Sequence, residues 1–485
     1  MIAQEKLIQS VFVAKVRLPN SIDASVREAS SATEWKSQKL AKRDAAFEAY
    51  VALYHAGLVS DNLLPIRGYD EAAVEAQSTV EKIASLVEVN EQLNIWTSIA
   101  QSWQSGTVLQ SFNVCITHQG SILTEMMMLF PWLLPDNLIF DIYWNACTNL
   151  GVEIRRGSSV PQVQPQTRAI ADITALLLRS VFRTRMDSPQ TDFIAQFFPA
   201  KAQDLSTWYK QNCGTLPARL LADTTLPREC VGIIRDLKNN DVPHIFEGVQ
   251  KIGASCAHDQ LDGAMQSAEE VVEDVICIRA KRLPKRADFL HPITSKRDKP
   301  NSSSKILLAR DCSVDRLPFI YAQFALFIPS ILHKIENSII AEDLCKNVLA
   351  SVGFSNHSLV LTAISTTAAQ EPTNYQRLEF LGDSILKAFT SLALLVNHLN
   401  WHEGVLSHQK DHIVSNSNLA RANLAIGLDK YILTKSFTGT KWRPIYVSDL
   451  LSGQNAAKRE LSTKTLADVV ESLIGAGRYP LSLSR

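Results

Sequence analysis

The sequence lacks three features that would have indicated a class of protein directly. It has no excess of one charge, since Lys plus Arg and Asp plus Glu both number 49. Overall charge therefore does not indicate a nucleic-acid partner, and an RNA surface would have to be a local basic strip. No G-x-x-x-x-G-K-S/T string occurs, so an ATP site is not supported. The most apolar run, Met126–Leu134, is interrupted by Pro131 and is shorter than the ~20 residues of a membrane helix.

Paired cysteines and a secretion signal are also missing. The eight cysteines are scattered with no C-x-x-C spacing, which favours reduced thiols over zinc or redox sites. The N-terminus lacks a basic region followed by an apolar stretch and a small-residue cleavage site. These features predict a soluble protein with no membrane partner and an intracellular location, cytoplasmic or nuclear.

What the chain does have is globular composition, with 485 residues, 46% hydrophobic and 20% charged. This length allows roughly three domains, and changes in composition place them at residues 1–66, 67–305 and 306–485. In the first, Val11–Leu18 alternates as a half-buried strand does, and a helix is predicted from Trp35 to His55 with Gly57 as its stop. We expect a small α+β unit.

The predicted helix is marked by apolar residues at helical spacing and by a basic start. The apolar residues are Leu40, Phe47, Val51 and Tyr54. Lys39, Lys42 and Arg43 lie on its first two turns, where outward-pointing backbone amides would also suit an RNA phosphate. A solvated helix face is the alternative interpretation.

The middle region mixes predicted helices, over Glu71–Leu93 and Thr167–Phe182, with strand-like pieces, and it shows no catalytic spacing. Its exit is rich in Lys and Arg from Arg279 to Lys299 and ends in Asn301–Ser304, which predicts an exposed linker. A nuclear-import signal or a plain solvated connector would show the same pattern.

From about Ile306 the chain is predicted to be mostly helical, and two strings in it carry acids at helical spacing. Glu379 and Asp383 lie four residues apart in LEFLGDSILK, and Asp468 and Glu471 lie three apart in KTLADVVESLIGA. Each pair shares one face of a helix. Acids about 4 Å apart repel by about 1–4 kcal/mol unless a cation lies between them. One such pair alone is usually solvated, but four carboxylates from two packed helices can hold two Mg²⁺ ions.

Together these strings closely resemble the ribonuclease III signature, and the resemblance extends over about residues 306–477. The strand and basic helix of residues 1–66 look like the Dicer dimerisation domain, a variant double-stranded-RNA-binding fold. Fungal Dicer-like proteins are therefore the best match. The implied fold is multidomain and mainly α, with an all-helical C-terminal ribonuclease III domain, a small α+β N-terminal domain and a mixed α/β middle region. The resemblance implies that this middle region would hold a platform and PAZ domain, but no PAZ pocket residue can be matched.

The resemblance also implies the site and its partners. Glu379, Asp383, Asp468 and Glu471 would bind Mg²⁺ or Mn²⁺, and Lys464 would offset charge on the transition-state phosphate. Glu403 would serve structure near the surface where two ribonuclease III domains pair. The remaining cations that could contact RNA phosphates are Lys410, Lys441 and Arg443. The substrate would be double-stranded RNA, cut into short duplexes in RNA silencing or antiviral defence.

The sequence departs from the family pattern in three respects. Gln376 replaces an acid that many members carry, and Pro480 cannot continue the second acidic helix, which is expected to be clipped. A helicase and a second ribonuclease III domain, expected in a Dicer-like protein, are not found. Homodimerisation, pairing with another protein and inactivity all stay open. The alternative functions are a non-catalytic double-stranded-RNA-binding or dimerisation protein and a phosphohydrolase acting on small molecules.

Overall fold

Helices and antiparallel sheets build two units of the chain, and the computed structural model describes most of both. The described residues are 11–19, 22–62, 85–104, 109–135, 137–157, 164–186, 189–223, 226–252, 275–286, 288–292, 304–354, 356–437, 442–453 and 458–478. The first unit comprises Met1–Val89, Tyr375–Asp429 and Arg459–Arg485, and the second comprises Asn90–Asn374 and Lys430–Lys458.

The α-helices of the described residues are numbered in chain order. They are α1 Gln38–His55, α2 Ile95–Gln104, α3 Gln164–Phe182, α4 Leu205–Asn212, α5 Phe319–Asn347, α6 His357–Ile364, α7 Gln376–Asn397, α8 Glu403–Ile413, α9 Asn416–Ala425, α10 Val447–Ser452 and α11 Thr463–Arg478. Short 3₁₀ turns cover Arg183–Arg185, Ala218–Asp223, Arg228–Cys230, Leu237–Asn239, Ala309–Asp311, Thr367–Ala369 and Leu428–Tyr431.

The strands are numbered in the same way. They are β1 Lys15–Arg17, β2 Glu28–Ser30, β3 Leu86–Val89, β4 Gln110–His118, β5 Ser121–Phe130, β6 Leu138–Tyr143, β7 Asn149–Arg156, β8 Gln196–Pro199, β9 Thr215–Pro217, β10 Ile234–Asp236, β11 Val242–Ile252, β12 Val275–Arg282, β13 Lys305–Leu308, β14 Cys312–Asp315 and β15 Arg459–Ser462. All the strand pairs that the structure describes within sheets are antiparallel.

The N-terminal part of the first unit is the expected α+β arrangement. β1 pairs with β2, and α1 packs on both. The buried face of α1 is a stripe of alanines, Ala41, Ala45 and Ala49, which are at most 4% exposed. The larger apolar residues that mark the helix by their spacing do not form this face, since Phe47 is 64% exposed. Small side chains four residues apart let the helix lie close to the strands.

The helix predicted over Glu71–Leu93 is wrong where the structure describes it. Leu86–Val89 is β3, which pairs with β15 so that Val87 lies opposite Leu461; residues 71–84 lie outside the described residues. The alternating Leu-Val-Glu-Val pattern suits a strand. Its partner is far away in sequence, so a local pattern could not reveal the pairing.

The second unit contains two antiparallel sheets. The five-stranded sheet has the order β6-β7-β4-β5-β8, and α3 packs on β8, where the buried Thr174 hydroxyl accepts from the Phe197 amide at 2.8 Å. α3 confirms the helix predicted over Thr167–Phe182. Most of the apolar run Met126–Leu134 lies in β5, where it forms sheet core.

The six-stranded sheet has the order β13-β12-β11-β10-β14-β9. Its core includes Ile234, Ile278 and Ala280, all fully buried. The predicted linker is wrong over residues 279–282, because these belong to β12, which is paired on both sides. Alternation places Arg279 and Lys281 of β12 on the opposite face from Ile278 and Ala280. The sheet also continues through β13 and β14, so the C-terminal region becomes helical at Phe319 and not at about Ile306.

The core helix of the second unit is α5. It is long and apolar enough to cross a membrane by length and composition alone, but 78% of its most apolar window is buried inside the protein. Phe324, Phe327 and Ile335 are at most 1% exposed, and the helix packs against α2, α3, α6 and β5. This is the burial expected of a core helix in a globular unit.

Candidate active site

The site begins with a close crossing of α7 and α11 in the first unit. A Cβ built on Gly382 would lie 1.7 Å from the carbonyl oxygen of Glu471, and one on Gly475 would lie 2.2 Å from that of Leu378. No other residue fits where two backbones approach this closely. The glycines of the two strings therefore let the acid-bearing helices meet backbone to backbone.

Burial and one buried side-chain hydrogen bond hold α11 in place. Leu466, Ala467 and Val469 of α11 are fully buried. Asn423, on α9, is also fully buried, and its side-chain amide donates to the carbonyl of Leu466 at 2.8 Å. A buried polar group needs such a partner, so this bond fixes the first turns of α11 where the acids begin.

Three of the four predicted carboxylates converge at the crossing. Glu379 of α7 and Asp468 and Glu471 of α11 each offer an oxygen atom within 4.8 Å of the other two. Asp468 and Glu471 are buried and Glu379 is half-buried. Asp383 lies one turn beyond Glu379, and its Oδ2 accepts from Lys387 Nζ at 2.8 Å. Asp383 is nevertheless near enough to raise the pKa of Glu471.

Lys464 lies among these carboxylates. Its Nζ donates to both oxygens of Asp468, at 2.7 and 2.8 Å, and to Glu379 Oε1 at 3.2 Å. The hydrogen bond to Asp468 is the largest of the causes that raise the pKa of the Lys464 ammonium, so this group stays charged. The lysine thereby joins one acid from each helix.

The environment of Glu471 shows how crowded the negative charge is. Burial, followed by the charges of Asp383, Asp468 and Glu379, raises the pKa of Glu471 from 4.5 to about 7, against the opposing effect of Lys464. A buried carboxylate among like charges favours its protonated form. A divalent cation would remove that preference.

Tyr375 is a residue of the site to which the sequence reasoning gave no role. It is 9% exposed, and its hydroxyl donates to Asp468 Oδ2 at 3.2 Å. Burial and the neighbouring Asp468 raise the pKa of this phenol to about 12, so it remains a donor at neutral pH. Its position just before α7 is a visible signal, but a tyrosine there is equally suited to packing.

The other predicted residues that the structure describes in the first unit are not part of this cluster. Lys39, Lys42 and Arg43 are exposed on α1. Lys410 is half-buried on α8, with Nζ 3.8 Å from Asp411 Oδ1. Glu403 is exposed at the start of α8 and accepts from the Ser407 hydroxyl at 3.0 Å. Arg443 is exposed in the second unit, and Lys441 lies outside the described residues. The contribution of these residues to RNA binding or pairing stays a prediction.

The donor set fits a magnesium or manganese site. All the groups are carboxylate oxygens, which Mg²⁺ prefers, and opposite ligands of an octahedral Mg²⁺ lie roughly 4 Å apart. The three carboxylate oxygen atoms lie within 4.8 Å of one another, which is close to that separation between ligands. Glu379, Asp468 and Glu471 would hold one ion, and Asp383 borders the same group.

Comparisons with known proteins agree with these features. Residues 376–477 match the ribonuclease III domain and residues 3–70 match the Dicer dimerisation domain. The chain is 42% identical over 480 residues to Dicer-like protein 2 of Coccidioides immitis and 36% identical over 472 residues to Dicer-like protein 2 of Phaeosphaeria nodorum. Both alignments cover 96% of this chain but 33% and 32% of the relatives, so it spans about one third of their length.

Two solved structures also align with parts of the chain. The crystal structure of Dicer from Giardia intestinalis aligns with 77% of this chain and 55% of its own, at 14% identity and a TM-score of 0.38. The nuclease domain of ribonuclease III from Campylobacter jejuni aligns with 27% and 82%, at 22% identity and a TM-score of 0.21. The predicted fold class is confirmed by the described helices and sheets and by the two domain matches. The chain is therefore a homologue, over nearly its whole length, of about one third of Dicer-like protein 2, and it carries matches to both the ribonuclease III domain and the Dicer dimerisation domain.

Proposed function

We propose that this chain hydrolyses double-stranded RNA with Mg²⁺ or Mn²⁺ at the crossing of α7 and α11. The observation that carries the proposal is the convergence of Glu379, Asp468 and Glu471 within 4.8 Å, beside Asp383 and Lys464. A structural ion-pair network would balance its charges, whereas here four acids face the two cations Lys464 and Lys387. Excess carboxylate at a half-open site favours metal-dependent phosphoryl chemistry.

The four carboxylates and Lys464 would have different roles in hydrolysis. Glu379, Asp383, Asp468 and Glu471 would hold two divalent ions, which would supply an activated water and stabilisation of the leaving oxygen. The Lys464 ammonium, 3.2 Å from Glu379, would offset negative charge on the phosphate. Hydrolysis would leave short duplexes with 5′-phosphates and 3′-overhangs. We extend the proposal to small-RNA production in silencing or antiviral defence at an intracellular location.

A second ribonuclease III domain is the proposed partner of the outer face of α7. Phe389, Leu392 and Val396 repeat at helical spacing on this helix and are 57–61% exposed. Leu399 just beyond the helix is 82% exposed, whereas Phe380, next to the proposed ligand Glu379, is 78% exposed on the opposite side of the helix, about 180° from Phe389. An exposed apolar surface of this kind marks an interaction site. Because it lies on the acid-bearing helix, a two-fold pairing through it would hold two sites in a fixed relation.

The activity is tested by incubating the purified chain with long duplex RNA and Mg²⁺. Controls are an EDTA-treated sample, a single-stranded RNA of the same sequence, and the Asp383→Asn, Glu471→Gln double variant. We expect cleavage of the duplex that EDTA and the double variant both abolish. Binding of duplex without cleavage in Mg²⁺ and in Mn²⁺ would contradict the proposal and favour the non-catalytic binding protein.

The pairing is tested by sedimentation of the isolated chain over a range of concentrations. We expect self-association that Leu392→Glu abolishes, and Leu133→Glu serves as the control, because Leu133 is similarly exposed at 54% but lies in the second unit. A chain that stays monomeric, and that cleaves duplex RNA at a rate proportional to its concentration, would contradict pairing between copies.

A further inference from the structure

The hydroxyl of Tyr375 reaches a carboxylate from the opposite helix. Tyr375 directly precedes α7 and its hydroxyl donates to Asp468 Oδ2, on α11, at 3.2 Å. The backbone carbonyl oxygen of Tyr375 accepts from the backbone amide of Glu379 at 2.8 Å, at the start of α7. One residue is therefore bonded to an acid-bearing segment of each helix at the point where the carboxylates converge.

The bond has a specific effect on Asp468. Lys464, four residues before Asp468 on the same helix, donates to both carboxylate oxygens of Asp468. A flexible lysine side chain can follow a carboxylate that rotates. Tyr375 bonds only Oδ2, from a rigid ring that is 9% exposed. A donor on one oxygen sets the rotation of the carboxylate plane and hence the direction of the remaining lone pairs.

We propose that Tyr375 is a positioning residue for divalent metal, and that its hydroxyl orients Asp468 toward the ion that Glu379 and Glu471 share. The inference rests on the proposed metal-dependent function. In this role the residue would not itself be a ligand of the ion. It acts through Asp468, and groups that orient metal ligands in this way typically contribute 10–100-fold in affinity.

A purely structural tyrosine would make the same kind of bond, and the chain offers one for comparison. Tyr431, in the second unit, is 7% exposed and its hydroxyl donates to Asp343 Oδ2 at 2.7 Å. Burial and the Asp343 hydrogen bond raise its pKa to about 12, as burial and Asp468 do for Tyr375. Asp343 is not among the proposed ligands. Removing each hydroxyl thus separates the effect on metal from the effect of losing a buried tyrosine–carboxylate bond.

The test compares Mn²⁺ binding to the wild-type chain, Tyr375→Phe and Tyr431→Phe by titration calorimetry, with thermal melts of each. We expect Tyr375→Phe to weaken Mn²⁺ binding about 10–100-fold and Tyr431→Phe to leave it within about 2-fold. The Mg²⁺ concentration for half-maximal cleavage should rise in Tyr375→Phe, whereas the rate at saturating Mg²⁺ should recover most of the wild-type value.

Each other outcome counts against the inference in a distinguishable way. Equal Mn²⁺ affinity in wild type and Tyr375→Phe would overturn it and leave the proposed function intact. A Tyr375→Phe chain that no longer melts cooperatively would assign the hydroxyl to folding. A wild-type chain that binds no Mn²⁺, or whose binding Glu379→Gln does not change, would overturn the proposed function together with the inference.

Discussion

Replacing Gly382 with alanine should separate the two helices on which the site depends. The new Cβ would lie 1.7 Å from the Glu471 carbonyl oxygen and 2.9 Å from the Gly475 amide nitrogen, both of them backbone atoms. Reaching even 3.0 Å from that oxygen requires the helices to move apart by more than about 1 Å. Overpacking a buried contact costs up to about 3 kcal/mol, and more where no side chain can yield.

The displacement should reach the chemistry as well as stability. Glu379 lies one turn before Gly382, and Glu471 carries the clashing oxygen, so their carboxylates would be drawn apart. A misplacement of about 1 Å can cost about 10²-fold in rate. We expect Gly382→Ala to lower both the free energy of unfolding, measured by urea titration, and the rate of duplex cleavage by these amounts.

The control is Gly453→Ala, because a Cβ there meets its nearest atom at an ordinary 3.4 Å and the backbone has φ −61°. Its stability should stay within about 0.5 kcal/mol of wild type. A Gly382→Ala chain that matches this control in unfolding free energy and retains wild-type cleavage would refute the close crossing of the helices.

Three further changes should have effects of defined sign. Burial raises the pKa of Glu471 from 4.5 to about 7. In the metal-free chain the contribution of Glu471 to stability should therefore be fully present below pH 4.5, and up to about 3 kcal/mol of it should be lost as the pH rises through 7. Urea titrations in EDTA should show a flatter dependence of stability on pH for Glu471→Gln. Lys464→Met should tighten Mn²⁺ binding in calorimetry, since the ammonium bonds the same oxygens, yet slow cleavage. Asp315→Ala should cost about 3–5 kcal/mol in thermal unfolding by leaving Arg235, 7% exposed, without its carboxylate.

The acids of the site could be predicted because their spacing is a local property. Within each pair the two acids share a helix face whatever surrounds them. The structure has a helix at both pairs, Glu379 with Asp383 and Asp468 with Glu471. The spacing of the acids within each string gives no information on the distances between the two helices. Asp383 therefore appeared equivalent to the other ligands, although its carboxylate is paired with Lys387, and Tyr375 could not be distinguished from a packing residue.

The wrong predictions of secondary structure arise where strands pair with segments that are distant in sequence. Leu86–Val89 is a strand because Arg459–Ser462 lies beside it, and Arg279 belongs to β12 because β11 and β13 flank that strand. Local composition favoured a helix in the first case and a linker in the second. On α1, helical spacing identified the helix, but the close packing against β1 and β2 selected the alanine stripe over the larger apolar residues.

The most direct test of the central claim is single-turnover cleavage of a defined RNA duplex by four separate variants, Glu379→Gln, Asp383→Asn, Asp468→Asn and Glu471→Gln. Each change removes a charge and keeps the shape, and duplex binding in Ca²⁺ serves to check that the chain is intact. If the four carboxylates form one metal-dependent site, each variant should lose at least about 10²-fold in rate at fixed Mg²⁺ while binding RNA normally. Cleavage within about 3-fold of wild type in two or more of them would contradict the assignment of the site to the crossing of α7 and α11.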